Sequence, residues 1–211
     1  MKRRTLDLVF GVGGVLLAGL LAVLGLVMKD NADFAKTYVH DQLSEQKIPF
    51  KTADTLTDIE KESTCLVKFA GTALDTGKKA ECYANDFIAL HLAEGAKTAK
   101  FEGATYYTLG AEVGKAKAAV ADAKAAGKPT EDLQKAADAV SGLRDSAFKG
   151  ETLRGLLLTS YGFSVFGEKG GQAETVCFLV ALVLLLASLA GFIHAFTTPK
   201  DKVVLTGEHK A

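Results

Sequence analysis

Apolar positions fall into two uninterrupted blocks near the ends of the chain and a long middle in which they recur every three or four residues. The first block, Leu8 to Met28, is 21 residues without a charge. As a helix it reaches about 31 Å, the thickness of a hydrocarbon core. The second, Val176 to Ile193, holds 18 uncharged residues and extends to Phe196 if His194 sits at a membrane interface. Each block is flanked by charge at both ends, the pattern of two membrane-spanning helices rather than two buried core helices. A signal peptide also begins with a positive stretch such as Lys2-Arg3-Arg4. Its apolar run, however, is about 7–15 residues and ends at small residues. Here the run is longer and ends in Met28-Lys29-Asp30-Asn31, so an uncleaved anchor is expected.

Lys2, Arg3 and Arg4 before the first block, and Lys200 and Lys202 after the second, place both tails in the cytoplasm by the positive-inside rule. The expected plan is a tail over 1–7, a span over 8–28, an extracytoplasmic domain over 29–174, a span over 175–196 and a tail over 197–211. Tails of that size hold no output domain, so signalling would have to pass through another subunit.

The middle reads as all-α, a bundle of about four to five helices between the two spans. Residues 31–47 form an amphipathic helix through Phe34, Tyr38 and Leu43, able to continue the first span, and stopped at Ile48-Pro49-Phe50. Thr57 and Glu60 have capping-box spacing and open a second helix running to about Gly71. A third runs from Gly77 to about Gly95, with Ala80, Tyr83, Ala84, Phe87, Ile88 and His91 as its stripe. A hairpin follows: Leu109, Val113, Ala116, Val120 and Ala123 face Leu133, Ala136, Val140 and Leu143, with Gly127 and Pro129 at the turn. Its alanine-rich seam buries little area, so it should be only marginally stable alone. The leucine-rich stretch from Gly150 to Phe166 is too short to span. It is either a core helix of the domain or an interfacial helix, with residues 167–171 (GEKGG) leading into the second span.

Cysteine usage adds a constraint. Cys65 and Cys82 lie in the exported middle, where an oxidising compartment favours a disulfide. The midpoint between them falls in the turn from Gly71 to Gly77, so two antiparallel helices folded there would bring the thiols level. Cys177, in the second span, reads as a packing residue.

Charge and motifs exclude several classes. With 25 basic and 25 acidic residues and no basic stripe, the chain lacks the footprint of a nucleic-acid binder. His40 and His91 sit on separate helices without metal-ligand spacing, and His194 and His209 belong to the other side of the membrane. No phosphate-cradling loop or nucleophile elbow occurs in a strand–turn–helix context, because Gly11, Gly13 and Gly14 lie in a span. No catalytic residue, metal site or cofactor is read from the sequence.

The spans carry a different signal. Gly11, Gly14, Ala18, Ala22 and Gly25 make one face of small residues, and Ala187 and Gly191 a shorter one, with Ser188 able to hydrogen-bond across an interface. Small residues let helices approach closely in lipid. This points to a membrane-protein partner or self-association within the bilayer, or to the two spans packing on each other.

Two stretches, Asp75 to Ile88 (DTGKKAECYANDFI) and Gly150 to Gly162 (GETLRGLLLTSYG), resemble those of an uncharacterised family of actinobacterial two-span membrane proteins. The resemblance implies a single-membrane envelope with the domain facing the cell-wall space, and no assigned activity. Within these stretches Asn85, Asp86, Arg154 and Tyr161 are the polar residues to watch, as structural hydrogen bonds or as a ligand site. Arg154 interrupts a leucine-rich run and needs a carboxylate or carbonyl partner if buried. The expected function is a non-catalytic accessory or scaffolding subunit of a larger cell-envelope complex. The alternative is a sensory or transport-accessory module binding an unknown ligand in the helical bundle.

Overall fold

The computed structural model describes residues 2–199. The expected tail over 197–211, including Lys200, Lys202 and His209, lies almost wholly outside them. The chain is all-helical, and no strand occurs among the described residues. Helix α1 spans Arg3–Glu45, α2 Asp58–Lys61, α3 Thr64–Phe69 and α4 Gly77–Cys82. A π-helical segment, Tyr83–Ile88, leads into α5, Ala89–Thr98; α6 spans Tyr106–Ala125 and α7 Glu131–Thr197. Two of these, α1 and α7, contain runs long and apolar enough to cross a membrane. The chain forms two compact units, one drawn from residues up to Lys36 together with those from Phe166 on, the other Thr37–Val165.

In the first unit the small residues of α1 face α7. A methyl group added at Gly11 would meet the Phe192 ring at 2.8 Å, and at Gly25 the Phe178 ring at 3.1 Å; at Gly14 it would collide with the Ser188 hydroxyl. Ala18, Ala32, Ala181, Ser188 and Ala195 are buried along this seam. Gly167 and Gly170 pack against Ala32 and Ala35, and the glycine-rich stretch leading into the second span is itself helical. Glycine is a poor helix former, but tight packing overrides propensity. At one end of the seam His194 Nδ1 lies within hydrogen-bond distance of Asp7 Oδ2, at 2.8 Å.

The second unit packs Val39, Leu43, Phe50, Leu56, Leu66, Leu74, Ala80, Ala84, Ile88 and Leu157 into one core. After α1, Ile48 to Lys51 pairs with Gly71 to Leu74 through three backbone hydrogen bonds of 2.8–2.9 Å. The helix expected from Thr57 to Gly71 is broken in two. Ser63 takes extended geometry and accepts from the Leu66 amide at 3.2 Å, capping α3 anew. The third helix appears, but its middle is widened to π geometry.

A smaller core of Leu109, Val140 and Ala147 holds α6 against α7. On α7 the seam runs through Ala137, Val140 and Ala147, while Leu133 and Ala136 are exposed. Of the expected facing set Val140 lies in this core and Leu143 packs against it, while Ala137 is buried in place of Ala136. Arg144 adds a polar tie between the two helices: its guanidinium lies 4.0 Å from the centre of the Tyr106 ring and donates to the Tyr106 carbonyl. Gly127 turns the hairpin with φ +66°, and the Lys128 amide returns to the Ala123 carbonyl at 2.9 Å. The Gly150–Phe166 stretch is neither a separate core helix nor a separate interfacial one; it is the middle of α7.

Candidate functional site

Cys65 lies in the first turn of α3 and Cys82 at the last residue of α4, and the two form a disulfide with Cα atoms 6.0 Å apart. The broken second helix matters here, because Ser63 restarts the chain so that Cys65 faces α4. Asp86 stands one turn beyond Cys82, on the π-helical segment, a geometry frequent at functional positions. Its Oδ1 accepts from the Ser63 hydroxyl at 3.1 Å, and its Oδ2 lies 3.2 Å from the Cys65 sulfur. A half-open cleft of about 380 Å³ covers this group, lined also by Lys68, Phe69, Lys78, Glu81 and Asn85.

The polar residues singled out in the sequence fall around that cleft and tie α7 to it. Asn85 Oδ1 accepts from Arg154 Nη2 at 3.3 Å, and Arg154 Nη1 lies 3.4 Å from Glu151. The arginine therefore has both a carbonyl and a carboxylate partner. The Tyr161 hydroxyl lies 3.4 Å from Lys78 Nζ, which also sits over the Tyr161 ring. Hydrogen bonds from Lys78 to Glu81 and to Tyr161 hold its ammonium above the ordinary lysine range. Between these cross-links Gly77 lets α4 approach α7: a methyl there would collide with Ser164 and lie 3.4 Å from the Tyr161 Cα.

A second polar centre was visible in the sequence only as a capping box. Glu60 is completely buried. Its Oε1 accepts from Lys51 Nζ at 2.7 Å and lies 3.3 Å from His91 Nε2; its Oε2 accepts from the Thr57 amide at 2.7 Å and the Thr57 hydroxyl at 3.0 Å. Burial by itself would raise its pKa. Lys51 and Thr57 together outweigh that and bring it down to about 2. Lys51, on the loop before α2, carried no spacing signal that it would pair with Glu60.

On the far side of the core, Tyr38, Val39, Leu43 and Ile48 face Leu153, Leu156, Leu157 and Phe163 across an open, mostly apolar cleft of about 430 Å³. Gln42, Gln46, Thr159 and Ser160 supply its polar rim. Leu156 is 63% exposed and Phe163 45%, so large apolar side chains stand open to solvent here. The sequence placed Tyr38 and Leu43 on one helix face and left the 150–166 stretch between two roles. Bringing the two segments together is the work of the tertiary fold.

Among the small residues of the spans, Gly11, Gly14 and Gly25 point at α7, and Gly191 comes within 3.7 Å of the Asp7 carbonyl, measured from an added methyl. Ala22 is partly covered, and Ala187 lies on the exposed side of α7. Ser188, by contrast, is buried opposite Gly14.

These features define a protein all-helical over its described residues, with two helices of membrane-crossing length and a disulfide-stapled helical unit that bears a polar cleft beside the disulfide and an apolar cleft between Tyr38–Ile48 and Leu153–Phe163. No protein family, curated protein or solved structure matches this chain.

Proposed function

We propose that the chain is a membrane-anchored, non-catalytic binding module, with residues 29–174 outside the cytoplasm and both tails inside. Its ligand on this reading is an alkyl chain of a lipid or lipid-like molecule, held in the apolar cleft between Tyr38–Ile48 and Leu153–Phe163. The apolar blocks and the flanking Lys and Arg residues support the anchoring and its orientation. The disulfide supports an oxidising compartment for the domain. The observation that carries the binding role is the cleft itself. At about 430 Å³ it lies within the usual range of about 300–1,000 Å³ for small-molecule sites and combines an apolar lining with a few polar groups at its edge.

The small-residue face of α1, for which the sequence left both an outside partner and packing of the two spans open, faces α7 of the same chain. The accessory-subunit reading keeps one specific support, the α6–α7 hairpin. Its core is small, and Phe101, Ala116, Ala136, Ala139 and Val140 line an open groove of about 510 Å³.

Native mass spectrometry of the chain, extracted in mild detergent and washed free of loose lipid, tests the binding role. One alkyl-chain molecule retained per chain, and lost in Leu156→Lys with the disulfide and melting temperature unchanged, is the expected result. Equal retention by wild type and variant, or none by either, overturns it. Stoichiometric recovery of other membrane subunits by crosslinking in native membranes would favour the accessory role instead.

A further inference from the structure

The geometry points to a metal site formed by Cys65, Cys82 and Asp86 when their disulfide is reduced, taking one soft divalent cation of the zinc type. The donor atoms of the three residues lie within 4.8 Å of one another. Two thiolates and a carboxylate are ligands that zinc accepts, and three protein ligands leave a fourth position for water. Cys82 and Asp86 are four residues apart at the junction of α4 and the π-helical segment, so one turn presents both to Cys65.

Within this cluster the carboxylate is held against the sulfur without a proton between them. In the disulfide form neither sulfur carries a proton, yet Asp86 Oδ2 is held 3.2 Å from the Cys65 sulfur. Nothing in that contact compensates the oxygen. Ser63 fixes the other oxygen at 3.1 Å, the arrangement by which outer groups orient a metal-ligating carboxylate. The ligands open onto the 380 Å³ cleft, which provides an entry path. At its wall Lys78 is paired with Glu81, and Lys68 favours the net negative charge that two thiolates and one carboxylate leave around a dication.

The chemistry balances in two steps. A dithiol reductant attacks the disulfide, delivers two electrons and two protons and leaves as its own disulfide, giving two thiols here. The cation then displaces the two thiol protons and binds both sulfurs and Asp86. Reoxidation by a disulfide oxidant restores the bond and releases the cation, so metal occupancy and the disulfide exclude each other.

The test uses the full chain in detergent with Cys177→Ser, so that only the pair is present, reduced anaerobically with a phosphine and titrated with Co(II). The expected result is one Co(II) per chain, with tetrahedral ligand-field bands and a thiolate-to-cobalt charge-transfer band, displaced by Zn(II). Oxidised protein should bind none. Asp86→Asn, which keeps the disulfide, should weaken binding at least tenfold when reduced, and Ser63→Ala about tenfold. Absence of the charge-transfer band in reduced protein, or unchanged affinity in Asp86→Asn, overturns the site. So does a helical signal lost on reduction and not restored by the metal.

Discussion

Exchanging Glu60 for glutamine removes one charge from a side chain with no exposed surface, and the neighbours fix the consequence. The carboxylate accepts from Lys51 on one oxygen and from the amide and hydroxyl of Thr57 on the other. A carboxamide offers one acceptor oxygen and one NH2 group, so either the Thr57 amide or the Lys51 ammonium then faces an N–H. Hydrogen bonds to a charged group are worth about 1.5–3 kcal/mol each, and a pKa held at about 2 instead of 4.5 corresponds to about 3 kcal/mol in favour of the ionised form. Lys51 keeps 34% of its side chain in water, which screens part of this, and about 2 kcal/mol is the expected loss. The chain has no Trp, and all five Tyr lie between Tyr38 and Tyr161, so tyrosine fluorescence reports on the Thr37–Val165 unit alone. In urea the midpoint should fall by about 1 M at pH 7. The sign with pH follows from the depressed folded pKa. The carboxylate's contribution is complete above about 4.5 and is lost as pH falls from there towards about 2. The gap between wild type and Glu60→Gln should therefore close across that window. A loss below about 0.5 kcal/mol, or a gap that ignores pH, would refute the reasoning.

Other perturbations read other parts of the structure. Replacing both Cys65 and Cys82 with alanine should lower stability by about 3 kcal/mol in the same urea assay, from the loop their 17-residue separation closes. Gly77→Ala forces a methyl into Ser164 on α7 and should lose about 1–3 kcal/mol, with no change in disulfide content by thiol titration. In the first unit, Gly14→Leu should lower the melting temperature of the detergent-solubilised chain by about 3–10 °C, because the added atoms meet Ser188. Gly13→Leu, where an added methyl meets nothing within 4 Å, should leave it unchanged, and equal effects of the two would refute the assigned seam.

Local pattern alone was enough for much of this protein. Two long charge-free runs, three-and-four spacing in the middle and the absence of alternating apolar positions specify an all-helical chain, since period and length are written directly in the residues. The capping box at Thr57 and Glu60 and the turn at Gly127 are likewise short-range, and both form as their spacing implies. The pairing of Cys65 with Cys82 was legible because one turn separates their helices, which leaves the chain few ways to arrange them.

What the pattern could not carry is every decision made by residues distant in sequence. Glycines 167, 170 and 171 carry no helix signal, yet they lie in a helix, where Gly167 and Gly170 pack closely on α1. The Gly150–Phe166 run held two readings until Leu157 met the core and Leu156 and Phe163 met Tyr38 and Leu43 across a cleft. Ser63 broke a helix that periodicity had drawn as continuous, because a hydroxyl cap competes with the helical ladder and the core rewards the new direction of Leu66. Lys51 found Glu60, and Asp86 came to face the disulfide, only after these breaks were made. Sequence spacing determines which residues share a helix face; burial and close approach between helices decide which faces meet, and the clefts beside the disulfide and beside Leu157 lie at such meetings.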